Sequence, residues 1–196
     1  MTVQLLKQRI LAEGVYLGNG ILKVDSLINH QVQPDLMGVI GKEFGRAFGE
    51  YKIDRILTAE ISGIMPAIMA GLELNVPVVY ARKKRPITMS GHIYLETAIS
   101  HTKGGEVHLM VSGEFLHSGE NVLIIDDFLA TGETLLAMAR IVKSAGARLI
   151  GVGCIIEKRF EHGRKRLEEA GYADIPIVSL ATIIQMGESG IVLADD

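Results

Sequence analysis

Tryptophan is absent from this chain of 196 residues, cysteine occurs once, and proline occurs five times. The lone Cys154 cannot close an intramolecular disulfide, so a disulfide-stapled secreted fold is excluded and a reducing cytoplasm is the expected compartment. No apolar run reaches the roughly 20 residues that a bilayer crossing needs, so no membrane segment is expected. Lys7, Arg9 and Glu13 are spaced through the N-terminus, unlike a signal peptide. An excess of positive charge is missing too. Twenty basic against 23 acidic residues leave a net charge of −3, which offers nucleic acid no general attraction. The histidines, at His30, His92, His101, His108, His117 and His162, show no metal-ligand spacing, and no metal site is expected of the protein alone. There is no Walker-type loop. Gly151-Val-Gly153 is a fragment of a dinucleotide fingerprint, but it lies within a strand pattern and Ile156 stands where the last glycine belongs.

What is present is an ordinary globular composition, with 48% apolar and 22% charged residues. A chain of this length should bury roughly 70% of its unfolded surface. With no repeat, low-complexity tract or long linker, residues 1–196 are expected to form one domain. Val3, Leu6, Ile10 and Leu11 fall at helical spacing over 2–13, and Gly14 stops the run. Leu36, Val39, Ile40, Phe44, Ala47 and Phe48 repeat the pattern behind Pro34 and Asp35. A strand is predicted at 53–58, a helix through 67–74 with Pro66 near its start, and a strand at 78–80 after Pro77. Val122–Ile125 is a continuous apolar run of the kind buried on both faces of a sheet. A helix over 132–145 with Leu135, Met138, Ala139 and Val142 on one face precedes a buried strand at 149–156. Apolar strands alternating with amphipathic helices predict an α/β fold with a mostly parallel sheet, whose ligands bind beyond the carboxyl ends of the strands. The stretch 84–119 is more polar and weakly alternating, which suggests an antiparallel excursion with a mobile loop.

The most informative string runs from Val122 to Thr134: four apolar residues, the carboxylates Asp126 and Asp127, then Phe128, Leu129, Ala130, Thr131, Gly132, Glu133 and Thr134 opening a helix. The helix N-terminus supplies unpaired N–H groups and positive charge, a place for a phosphate. Gly132 permits close backbone approach, and the threonine hydroxyls add donors. The carboxylates, expected to end the strand, accept hydrogen bonds from sugar hydroxyls or bind Mg²⁺. A ribose 5-phosphate satisfies every part at once. Taken alone, the acidic pair is more often a capping arrangement; the whole string reverses that preference.

This string resembles the phosphoribosyl pyrophosphate (PRPP) signature of the type I purine phosphoribosyltransferase family. Further resemblance, to the xanthine-using members, lies in the segments 22–31, Glu60-Ile-Ser-Gly-Ile-Met-Pro-Ala, Val78-Val-Tyr-Ala-Arg-Lys-Lys and Ile155-Ile-Glu-Lys-Arg-Phe, and it spans nearly the whole chain. It implies the type I fold with a small hood, built from about 1–35 and the C-terminal segment, and a flexible loop. It also implies that Ala130–Thr134 holds the 5-phosphate, that Asp126 and Asp127 face the ribose as catalytic groups, and that Leu22, Asn29 and Lys158 contact xanthine. The implied reaction converts xanthine and PRPP to xanthosine 5′-monophosphate and pyrophosphate, with Mg²⁺ carried mainly by PRPP, in a cytoplasmic homodimer. Hypoxanthine- and guanine-using relatives carry an aspartate where this chain has Ala130, so no general base is assigned.

Elementary chemistry is consistent with parts of this. A lysine ammonium donates and cannot accept, so Lys158 favours a purine oxo group over an amino group; the alternative is a solvated surface lysine. Asn29 offers a donor and an acceptor for a second oxo-bearing edge, or is simply a turn residue. Ser62 and Gly63 can supply donors to pyrophosphate, and Arg82 and Lys83, with Lys84 and Arg85, can supply charge; the alternative for the cations is a solvated face or a nucleic-acid patch. The segment 98–106, with His101 and Lys103, is expected to close over the leaving group. Lys158 apart, the basic run Arg159, Arg164, Lys165 and Arg166 reads as a solvated helix face. Cys154 reads as a small buried hydrophobe. Two other readings remain open at this point: a hypoxanthine/guanine enzyme, and a PRPP-sensing transcription or RNA regulator. Against a regulator stand the acidic net charge and the mere 20 or so residues ahead of Leu22.

Overall fold

The computed structural model describes residues 2–99 and 105–195. In chain order the elements are α1 (Thr2–Glu13), β1 (Val15–Tyr16), β2 (Leu22–Lys23), α2 (Pro34–Phe48), β3 (Arg55–Ala59), α3 (Ile64–Leu74) and β4 (Val78–Ala81). There follow β5 (Ile93–Ile99), β6 (Glu106–Ser112), β7 (Asn121–Leu129), α4 (Glu133–Ser144), β8 (Arg148–Lys158), α5 (Gly163–Leu167), β9 (Ile177–Gly187) and β10 (Gly190–Leu193). Among the described residues six strands form a sheet in the order β10-β9-β8-β7-β3-β4, parallel throughout except for the β9–β10 hairpin. β5 and β6 form a separate antiparallel pair, as the weak alternation of that stretch leads one to expect.

Helices cover both faces of the sheet. On one side Leu6 and Ile10 of α1 and Leu36, Ile40, Phe44 and Phe48 of α2 meet Leu123, Ile125, Ile155 and Leu180. On the other, Leu135, Met138, Ile141 and Val142 of α4 meet Ile124, Val152, Leu109 and Val111. Leu11, which its spacing assigns to the core, is 53% exposed; it lies a turn's fraction past the narrow stripe that α1 buries.

The glycines of β8 have a packing purpose. A Cβ at Gly151 would lie 2.7 Å from the Phe48 ring, and one at Gly153 would lie 2.8 Å from the Phe44 ring. The strand is bare there so that α2 can settle its aromatics on the sheet.

β7 and β8 both run further than their apolar cores. β7 continues through Asp126 and Asp127 to Leu129, so the carboxylates sit inside the strand and do not end it, because β8 keeps pairing alongside as far as Glu157. β9 and β10, which the hydropathy pattern did not mark, complete one edge of the sheet. The expected loop at 98–106 falls mostly on residues 100–104, outside the described residues.

Candidate active site

The carboxyl ends of β7 and β8 open into a cavity of about 330 Å³. Its lining joins Asp126, Asp127 and Phe128 of β7, the Ala130–Thr134 turn and the start of α4. Lys158 at the end of β8, Leu22 of β2, Asn29 and Lys83 also line it, as do Ala98, Ile99, Val107 and Leu109 of the β5–β6 pair. Ser62, Gly63 and Arg82 are not among its lining residues.

Each part is held by local structure. Gly132 has φ +82° and caps the N-terminus of α4. Its carbonyl accepts from Leu136 N at 2.8 Å, which leaves the first-turn N–H groups of the helix without intrahelical partners. Gly163 N donates to Ala130 O at 2.9 Å from beneath, and Arg166 pairs with Glu133.

Asp126 is buried and Asp127 half-buried. Asp126 Oδ1 accepts from Asp127 N at 3.0 Å, while Phe128 N donates to Asp127 Oδ1 at 2.9 Å. Burial raises the Asp126 carboxyl well above the usual range, and the neighbouring Asp127 adds to this; Lys83 pulls weakly the other way. Burial also raises Asp127, opposed by hydrogen bonds that include one to Ser62. Ser62 and Gly63 thus serve the carboxylates from outside the cavity. A Cβ at Gly63 would lie 2.5 Å from Asp126 Oδ1 and would overlap Thr58 Oγ1, a buried hydroxyl with no hydrogen-bond partner among the described residues.

Arg82 is engaged elsewhere. Its Nε lies 2.8 Å from Glu60 Oε2, its guanidinium stands 5.7 Å from the Tyr80 ring centre, and it lines a second cavity of about 410 Å³. Glu60 also accepts from Lys83 N at 2.6 Å, so this carboxylate ties the 60–63 turn to the end of β4. Of the neighbouring cations, only Lys83 reaches the cavity.

Lys158 is buried, not solvated. Nζ donates to Gly20 O at 2.7 Å and sits 5.4 Å from the centre of the Phe128 ring. Phe128 is a wall of the cavity to which the sequence pattern alone assigns no role. Its signal was an aromatic inside the strand-to-loop string, two residues past the first carboxylate. Arg164 is likewise no solvated face: it grips the buried Glu157 through Nε at 3.0 Å and Nη2 at 2.5 Å, and donates to Ile177 O at 2.7 Å. Ser179 Oγ donates to Glu157 at 2.6 Å. Burial pushes Glu157 up, but Arg164 and Ser179 outweigh it and hold the carboxyl below its ordinary value. Cys154 is buried and its thiol is pushed up to about 12 by burial, which leaves it inert. Among the described residues no three His, Cys, Asp or Glu side chains converge as a metal site, and no helix is long and apolar enough to cross a membrane.

Comparison with known proteins gives a consistent picture. The family model described as a phosphoribosyl transferase domain matches residues 28–177. The chain is 48% identical over 190 residues to a xanthine phosphoribosyltransferase of Deinococcus deserti, covering 97% of each chain. It is 43% identical to one from Latilactobacillus sakei, covering 99% of this chain and 98% of that one. Among solved structures, adenine phosphoribosyltransferase from Rhodothermus marinus superposes with a TM-score of 0.75 at 26% identity, over 93% of this chain and 98% of that one. The enzyme of that name from Thermoanaerobacter pseudethanolicus, at 24% identity, shares the fold with a TM-score of 0.76 over 92% and 99% of the two chains.

Proposed function

Since this chain belongs to the phosphoribosyltransferase family, we propose that it moves ribose 5-phosphate from PRPP onto xanthine, releasing pyrophosphate and forming xanthosine 5′-monophosphate. One observation carries the reading: Leu22, Asn29 and Lys158 line the same cavity as Asp126, Asp127 and the 130–134 turn. A purine and a ribose phosphate therefore have room side by side. The curated relatives of D. deserti and L. sakei, both named for xanthine, support the choice of base.

In this reading the 5-phosphate lies in the Ala130–Thr134 turn, against the N–H groups and partial positive charge of α4. Asp126 and Asp127 flank the ribose. As the bond from the anomeric carbon to pyrophosphate lengthens, the sugar gains cationic character, and carboxylates in a partly buried site stabilise it more strongly than they could in bulk water. Lys83 offers charge to the departing pyrophosphate, and the Ser62-Gly63 turn holds the carboxylates from behind. Arg82 acts one step back, through Glu60. Lys158 donates to a purine oxo group, Asn29 serves the second polar edge, and Phe128 and Leu22 provide apolar walls.

Mg²⁺ suits this site. The acidic pair supplies hard oxygens next to the close approach at Gly63 and the unpartnered Thr58 hydroxyl. An ion that takes one or two carboxylates and completes its shell from substrate oxygens fits such a sparse donor set. When bound, it would neutralise charge on the pyrophosphate oxygens.

We read the whole chain as one such domain, with the hood drawn from about 1–35 and the C-terminal segment. The shared core of α1, α2 and β9 supports this. Ile61, Ile68 and Leu72 leave apolar surface exposed on and before α3, which supports a homodimer. A single cysteine, Cys154, buried and with no second thiol to pair with, is in keeping with the cytoplasm.

The test is direct. The protein is incubated with PRPP and Mg²⁺ and with xanthine, hypoxanthine, guanine or adenine in separate reactions, and nucleotide is quantified. Xanthosine monophosphate is expected to form fastest. A preference for adenine, or no nucleotide from any base, overturns the assignment.

A further inference from the structure

The ammonium of Lys158 is not a free charge. Besides its bond to Gly20 O at 2.7 Å, Nζ lies 3.2 Å from Glu161 Oε1. Both side chains are shielded, with 11% and 18% of their surface accessible. Glu161 ends the single helical turn Arg159–Glu161 that follows β8, and the Gly20 loop closes over it; a Cβ at Gly20 would lie 3.4 Å from Glu161 Oε1. An ammonium has three N–H groups. A carbonyl and a carboxylate face two of them, so one remains for a purine, and the Lys158–Glu161 pair presents no net charge to it.

Few other charges bear on Glu161. Arg159 stands two residues before it and His162 follows it directly. The loop 17–21 carries no ionisable side chain, and neither does β9, which packs against this turn. Across the cavity stand Lys83, Asp126 and Asp127.

We propose that Glu161 is a positioning residue that sets, through Lys158, how the pocket divides between anionic and neutral oxopurines. The inference rests on the reading above that Lys158 meets a purine oxo group. Xanthine ionises near neutral pH, whereas hypoxanthine stays neutral there. A shielded lysine without a partner would draw the xanthine anion strongly. The Glu161 carboxylate cancels that attraction and admits the neutral base on more equal terms, while fixing the ammonium in place.

The variant Glu161→Gln keeps an oxygen that accepts from Lys158 and removes only the charge. The quantity to measure is the ratio of kcat/KM for xanthine to kcat/KM for hypoxanthine, above and below the first ionisation of xanthine. Damage to the pocket affects both bases and leaves the ratio alone. The expected result is a rise of about tenfold above that ionisation, as for one unit charge in a partly shielded site, and the wild-type ratio below it. Glu161→Asp, which retains the charge, should keep the wild-type ratio at both pH values. A flat ratio in Glu161→Gln, or an equal rise in Glu161→Asp, overturns the inference. Lys158→Ala tests the underlying reading separately. If that variant uses both oxopurines normally, the role given to Lys158 falls; if it loses them while the Glu161→Gln ratio is flat, only the role of Glu161 falls.

Discussion

Gly163 and Ala130 meet backbone to backbone. Gly163 N donates to Ala130 O at 2.9 Å, and a Cβ on Gly163 would overlap that oxygen and lie 2.7 Å from Gly132 N. The turn proposed to hold the phosphate therefore rests on the segment that follows Lys158. Gly163→Ala is expected to push the turn aside and raise KM for PRPP roughly tenfold, with a smaller change in KM for xanthine. Steady-state kinetics with each substrate varied in turn checks this. Equal changes in both constants would refute a local role.

Asp126 trades stability for its chemistry. Its folded carboxyl titrates above the ordinary range, chiefly through burial and then through the charge of Asp127. Between the ordinary carboxylate range and that raised value, the folded protein holds a proton that the unfolded chain releases. The corresponding stabilisation is full below the ordinary carboxylate range and is lost as pH rises through the raised folded value. Asp126→Asn should abolish most turnover yet raise Tm at neutral pH by about 2–4 °C, the shift for about 1 kcal/mol in a chain of this size. The gain should vanish below roughly pH 4. Calorimetry across pH decides the matter.

Glu157 behaves in the opposite sense. Burial raises it, but Arg164 and Ser179 hold it below its ordinary value, so its stabilisation is present above the ordinary carboxylate range and is lost as pH falls through the lowered folded value. Arg164→Met leaves a buried carboxylate without its cation and should cost about 2–3 kcal/mol at neutral pH, discounted because the guanidinium is partly solvated. Urea unfolding should show the gap between variant and wild type narrowing in acid.

Gly153 is predicted to matter for stability and not for turnover. Gly153→Ala sets a methyl against Phe44 and Ile125 and should lower stability by about 1–3 kcal/mol through overpacking, with kcat nearly unchanged. A large loss of kcat in the folded variant would contradict this.

The legible parts of the chain were those in which one period or one string dominates. The stripe from Leu36 to Phe48 marked α2, and the run from Val122 to Thr134 marked both the central strand and the turn that lines the cavity. Strand length was less visible: β7 outlasts its apolar residues because its partner β8 does, and pairing between neighbours leaves no trace in hydropathy. β9 escaped notice because nothing near it carries a motif. Arg164 is not the solvated cation that its basic run suggests, and the contacts of Arg82 are equally unreadable, because cations in a row look alike. Which of them finds a carboxylate, Glu60 or Glu157, depends on contacts between distant segments. Phe128 was passed over between more conspicuous neighbours.

The in-register pairing of Asp126 with Cys154, Phe128 with Ile156 and Leu129 with Glu157 has a wider meaning. Parallel strands lie about 4.8 Å apart and scarcely stretch. The groups proposed for sugar and for base therefore stand on a common rigid caliper, and the gap between them is gauged by the sheet. Loops around the rim are then free to diverge, and the choice of base to drift, without recalibrating the span that a nucleotide must fit.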